Sequence, residues 1–171
     1  MTLRTNARLA GFTFLFYIAA GVSSMALAGR TQATDVLTLC TSFSALVLAV
    51  TLYAITRGQD PDLALLGMAC RILEAIPGRD GEVFFAVGSL LFCWLLLRGR
   101  MIPVALARLG VLASLLLVVI LPLQRVGYLG GVMSWSSSAP WLIWLPMLIF
   151  EVVFALWLLI KGVNPPVRRT A

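Results

Sequence analysis

A chain of 171 residues that is 61% hydrophobic and only 12% charged lies far outside the composition of soluble domains. It reads as a polytopic membrane protein with room for about six spans of ~20 residues and little else. The net charge of +6 sits in short loops and tails with no nucleic-acid platform around it, so it is a topology signal and no nucleic-acid partner is expected.

The predicted elements follow in chain order. The first span covers residues 9–28, where Ala20, Ser24 and Ala28 repeat at the four-residue spacing that suits close helix packing. With Arg4 and Arg8 before it and "ALA" at 26–28, the same stretch also has the outline of a cleavable secretory signal. Its apolar run is 20 residues, long enough to span, and a retained span is the expectation. The second span is 36–55, and the third is 61–76, opening on Pro61 at a first-turn position. The fourth, "EVFFAVGSLLFCWLLL", is 82–97; the fifth is 104–123 and the sixth 141–160. Spans three and four reach only roughly 24 Å against a hydrocarbon core of about 30 Å. The predicted fold is all-α, an integral membrane bundle of six transmembrane helices forming one domain over residues 1–171.

Orientation follows from the basic residues. Arg4, Arg8, Arg57, Arg98, Arg100, Arg108, Lys161, Arg168 and Arg169 fall on one side, and Arg30, Arg79 and Arg125 on the other. The positive-inside rule then places both termini in the cytoplasm.

The stretch "GMACRILEAIP" (67–77) sets Arg71 and Glu74 three residues apart, on one face of span three. Glu151 lies ten residues into span six, in "MLIFEVVFALWLL". Each such charge near a helix centre costs about 2.5–3.5 kcal/mol on an insertion scale, so it persists only facing partners or water. Helical rise puts Arg71 and Glu151 at depths roughly 6 Å apart, compatible with a ladder Glu74–Arg71–Glu151. Three readings stay open: an ion pair fixing span three on span six, snorkelling of Arg71 and Glu74 to the surface, or a polar-ligand or proton site.

Polar residues gather toward the same end. Ser23 and Ser24 lie in span one, Thr38, Thr41, Ser42 and Ser44 in span two, and Gln124, Arg125 and Tyr128 follow span five. A polar pocket open to the outside and closed toward the cytoplasm is therefore expected, with Thr41, Ser42 and Arg125 joining the three charged residues as candidates. The "PGRDG" connection (77–81) would sit recessed between the two short spans. Trp141 and Trp144 read as interface anchors, and Pro146 as a kink that frees a carbonyl near Glu151. "SWSSSAP" (134–140) has no glycine elbow or histidine base and reads as a polar loop.

No histidine occurs, which removes histidine-held haem, the common zinc-hydrolase sites and Ser-His-Asp or Cys-His catalysis. Cys40, Cys70 and Cys93 have no pairing pattern and read as free apolar thiols. No catalytic residue, metal site or cofactor is expected.

Four segments, "RLAGFTFLFYIAAG", "CRILEAI", "GSLLFCWLLLRGRMIP" and "FEVVFALWLLIKGV", occur in an order that resembles the bacterial membrane family catalogued as domain of unknown function 4386. The resemblance implies an integral membrane protein of bacteria, and the expected location is the inner membrane. It maps the family's arginine–glutamate and late-glutamate motifs onto Arg71, Glu74 and Glu151, and it brings no reaction.

The expected function is a non-enzymatic multi-pass protein whose buried charges organise the bundle and hold a pocket for a small polar ligand or lipid headgroup. The alternative is a small-solute or proton-coupled transporter titrating Glu151, with an intramembrane enzyme behind it. Membrane lipids and a second copy of the chain are the expected partners.

Overall fold

The computed structural model describes residues 2–27, 31–76, 81–128 and 139–165. They form six α-helices: α1 (Leu3–Ala26), α2 (Thr31–Thr56), α3 (Pro61–Ala75), α4 (Gly81–Arg98), α5 (Val104–Arg125) and α6 (Ala139–Ile160). Number and order match the predicted elements, but every helix except α3, which stops at Ala75 rather than residue 76, is longer than its predicted run. The α1 helix begins at Leu3 rather than residue 9 because Thr2 caps it, its hydroxyl accepting from the Thr5 N–H at 3.2 Å. The α3 helix starts on a similar device: Asp60 accepts from the Leu63 N–H at 3.1 Å, Pro61 occupies the first turn, and Asp62 follows near the positive end of the helix dipole.

Five helices, all but α3, are long and apolar enough to cross a membrane. The 15 residues of α3 rise about 22 Å. Each helix packs on its neighbours in the chain, and α6 returns to pack on α1, so the six close into a ring. Small residues let the backbones approach. A Cβ at Gly11 of α1 would lie 2.7 Å from the Ala155 carbonyl oxygen of α6, and one at Gly88 of α4 would lie 3.1 Å from the Cys70 Cβ of α3.

One end of the ring gathers the α2–α3 and α4–α5 connections and residues 161–165 after α6. Arg98 Nη1 lies 3.6 Å from Asp60 Oδ2, and the Asn164 N–H donates to the Met101 carbonyl at 2.9 Å. The α4 helix closes there with the Met101 N–H bonded to Leu96 O and the Arg100 N–H to Leu97 O, which sets Arg100 in the left-handed region at φ 49°.

The ring is filled toward this end by Leu48, Leu96, Leu158 and Phe154, whose ring meets Phe14 edge-on at 5.6 Å and stacks on Phe150 at 5.3 Å. Large apolar side chains also cover the outside: Phe12, Phe16, Leu39, Phe43, Leu112 and Leu142 are all exposed. So much outward apolar surface is stable only against lipid, and the chain is a helical membrane protein. Four basic residues of the orientation argument (Arg30, Arg79, Arg168, Arg169), most of "PGRDG" and most of "SWSSSAP" lie outside the described residues.

Candidate functional site

Arg71, on the inner face of α3, is 1% exposed and the largest fully buried side chain of the described residues. Gly88 makes room for it, since a Cβ there would touch the Arg71 Cδ at 3.4 Å. Its Nη1 lies 2.9 Å from Glu74 Oε2, the pair that the three-residue spacing predicts. The contact is a close charge pairing without hydrogen-bond alignment, and Nε, Nη1 and Nη2 have no aligned partner among the described residues. Rings complete the surroundings: the guanidinium carbon lies 5.0 Å from the centroid of Phe85, 5.7 Å from Tyr17 and 6.0 Å from Phe14. These are cation–π distances, which partly offset the lost hydration.

Glu74 is held from the other side by α1, because the Tyr17 hydroxyl donates to its Oε1 at 2.8 Å. The expected third rung is not formed. Glu151 projects from α6 into the same interior and is 6% exposed, yet it makes no ion pair with Arg71, and its Oε1 has no hydrogen-bond partner among the described residues. The guanidinium is engaged with Glu74 and the rings instead, leaving Glu151 within electrostatic range of Arg71 and Glu74 but out of contact.

A cavity of about 570 Å³ occupies the space between α1 and α6 where the two helices part, beyond their close approach at Gly11. Tyr17, Gly21 and Ser24 of α1, Thr41 of α2, Glu74 of α3, Glu82 and Phe85 of α4, and Trp141, Trp144 and Glu151 of α6 line it. Trp144 and Phe85 pack against each other, with centroids 5.7 Å apart. The cavity ends at Glu151 and Phe85, because Phe150, Phe154 and Leu158 fill the ring beyond.

The remaining predicted residues are placed unequally. Thr41 is on the wall, although its hydroxyl donates back to Thr38 O at 2.8 Å. Ser42 is half-buried and off the wall. Arg125 ends α5, exposed, where it acts electrostatically on Glu82 rather than lining the cavity. Thr38, Ser44 and Ser24 likewise bond their own helix backbones, which reduces what they offer a ligand.

Tyr17, Phe85, Trp144 and Glu82 are the site residues that the sequence reading missed. The one available signal was Tyr17, a hydroxyl deep in an apolar span that needs a partner.

The model of the family described as Domain of unknown function (DUF4386) matches residues 81–162, from the first residue of α4 to just past the end of α6. The match takes in Glu82, Phe85, Trp141, Trp144 and Glu151 but not Tyr17, Arg71 or Glu74. No curated protein and no solved structure matches the chain. Two of the four segments that carried the resemblance, "GSLLFCWLLLRGRMIP" and all but the last residue of "FEVVFALWLLIKGV", fall inside the matched region. The chain is thus a helical membrane protein whose residues 81–162 match the model of the DUF4386 family.

Proposed function

We propose that this is a six-span, non-enzymatic protein of the bacterial inner membrane, with both termini cytoplasmic. In this reading Arg71 and Glu74 organise the bundle, and the cavity at Glu151 admits a small polar ligand or lipid headgroup from the outer side. The observation that carries it is the buried Glu151 Oε1, which has no partner yet lies on a cavity wall. A buried acceptor left unmatched costs stability, and such a group is retained where something else uses it. The connections at 57–60 and 99–103 and residues 161–165 share one end, which agrees with the side that the basic residues mark as cytoplasmic. Spanning by α3 is part of the proposal: its antiparallel packing on α4 supports it, and a short helix is accommodated by local thinning of the bilayer.

The test is thiol labelling in a chain whose Cys40, Cys70 and Cys93 are changed to Ala. Leu148 lines the cavity nine residues into α6, roughly 14 Å down the helix, whereas Leu156 is exposed on the bundle but off the cavity wall. An impermeant maleimide added outside intact cells should modify Leu148→Cys and spare Leu156→Cys. Equal protection of both would overturn an open cavity, and labelling from the cytoplasmic side alone would overturn the orientation.

The same unpartnered carboxyl favours one second reading, a proton-coupled or small-solute carrier. That reading calls for a homo-oligomer, because six helices without a visible inverted repeat offer no second half to rock against. Flux into proteoliposomes that Glu151→Gln abolishes would establish it, and flux indifferent to the change would remove Glu151 from the mechanism.

A further inference from the structure

The wall of the cavity has a sign. Its deepest polar group is Glu151, more than nine-tenths buried, with Oε1 unpartnered. Glu74 lies beside it, and Tyr17, Phe85 and Trp144 complete the deep wall. The nearest cation, Arg71, is not on that wall: it is enclosed in the ring interior, occupied by Glu74 and the faces of neighbouring rings. At the rim, Glu82 is already influenced by Arg125. One cation thus serves two deep carboxyl groups, and the second faces the cavity beside aromatic rings. An anionic ligand would meet carboxyl groups there. An organic cation would meet an acceptor beside aromatic residues, the pairing by which proteins recognise ammonium groups.

The lateral wall adds the second half of the ligand. Val22 and Met25 of α1 and Leu142 and Leu145 of α6 line the cavity and are also exposed on the flank of the bundle. An apolar body seated between them would reach the lipid. We infer that the cavity binds a lipophilic organic cation, with its charged centre at Glu151 and its apolar part along the seam between α1 and α6. This rests on the reading that the cavity admits a ligand and adds its chemical class. The cation is either a free lipophilic amine or the ammonium of an aminophospholipid.

The probes are tetraphenylphosphonium and tetraphenylborate, ions of nearly the same shape and opposite charge, titrated calorimetrically into the full chain in dodecyl maltoside. The phosphonium should bind the native protein at least about tenfold more tightly than the borate. Glu151→Gln, checked for a monodisperse fold, should lose that preference. Leu148→Trp, which fills the cavity without changing its charge, should weaken the phosphonium by a similar factor and decides the matter if Glu151→Gln does not fold. Equal binding of the two ions, tighter binding of the borate, or no phosphonium binding would overturn the inference. If Leu148→Cys is still labelled from outside, such a failure concerns the sign of the ligand; if labelling also fails, the cavity itself falls.

Nanodiscs distinguish the source. Phosphonium affinity that drops when phosphatidylethanolamine is added to phosphatidylglycerol discs supports an aminophospholipid as occupant. Affinity indifferent to the added lipid supports a free amine.

Discussion

The Tyr17 hydroxyl reaches across the interior of the ring to Glu74 Oε1 at 2.8 Å, joining α1 to α3, two helices that are not neighbours in the ring. A hydrogen bond to a carboxyl group in so dry a place is worth about 1–3 kcal/mol. Tyr17→Phe keeps the ring against Arg71 and removes only this bond. We expect it to lower the unfolding free energy by that amount, read from SDS-induced unfolding in mixed micelles. An unchanged value would mean that the bond adds nothing to the bundle.

Arg71 and Glu74 should behave as a coupled pair. Arg71→Leu leaves Glu74 Oε2 buried without its cation and should cost about 3–5 kcal/mol. Replacing both residues by leucine removes the orphan as well, and most of the loss should return. A double variant as unstable as the single one would refute the coupling.

Glu151→Gln should differ from Arg71→Leu in kind. Because Glu151 forms no ion pair, its replacement removes no bonded partner, and the unfolding free energy should change by less than about 1 kcal/mol in either direction. A loss comparable to that of Arg71→Leu would instead identify Glu151 as a structural lock.

Two glycines of α1 make an internal control for the α1–α6 contact. A methyl at Gly11 would lie 2.7 Å from a backbone oxygen that cannot rotate away, so Gly11→Ala must separate the helices at a cost of about 1–3 kcal/mol. At Gly21 nothing lies within 4 Å, and Gly21→Ala should instead stabilise the helix by about 0.5–1 kcal/mol. Equal effects at the two positions would contradict the close approach.

Arg100 sits at φ 49° in the turn that ends α4. Glycine adopts that conformation without the Cβ penalty, so Arg100→Gly should raise stability by about 1 kcal/mol. A loss would show that the arginine side chain contributes more at the membrane edge than the turn does.

The sequence was informative about helices and much less so about faces. Six apolar runs between short polar breaks announce six helices, and only their capped polar ends, such as 3–8 of α1, escape an apolarity count. Facing is harder because lipid is as apolar as the interior. Phe12 and Phe14 are the same residue type in one span, yet the first is exposed and the second buried. Only charged residues declare a direction, which is why Arg71, Glu74 and Glu151 were found together. Ser42 and Thr41 are adjacent, and with no charge within 36–55 to fix the rotation of that run nothing in the sequence tells the wall residue from its neighbour. The Arg71–Glu151 contact was inferred from depth along the helices, and depth takes no account of the rings that occupy Arg71 instead.

The order in which the chain emerges from the ribosome gives the local Arg71–Glu74 pairing a further meaning. A nascent α3 carries its own counter-charge one turn away, so the Arg71 charge is compensated locally and need not wait for any later helix. The ring, by contrast, closes only when α6 arrives and meets Gly11. Until then α1 to α5 form an open arc, and Glu151 is delivered by the last helix. Biogenesis therefore has two separable stages: a self-neutralised early arc that tolerates delay, and a single closing event in which α6 meets α1 and encloses the cavity.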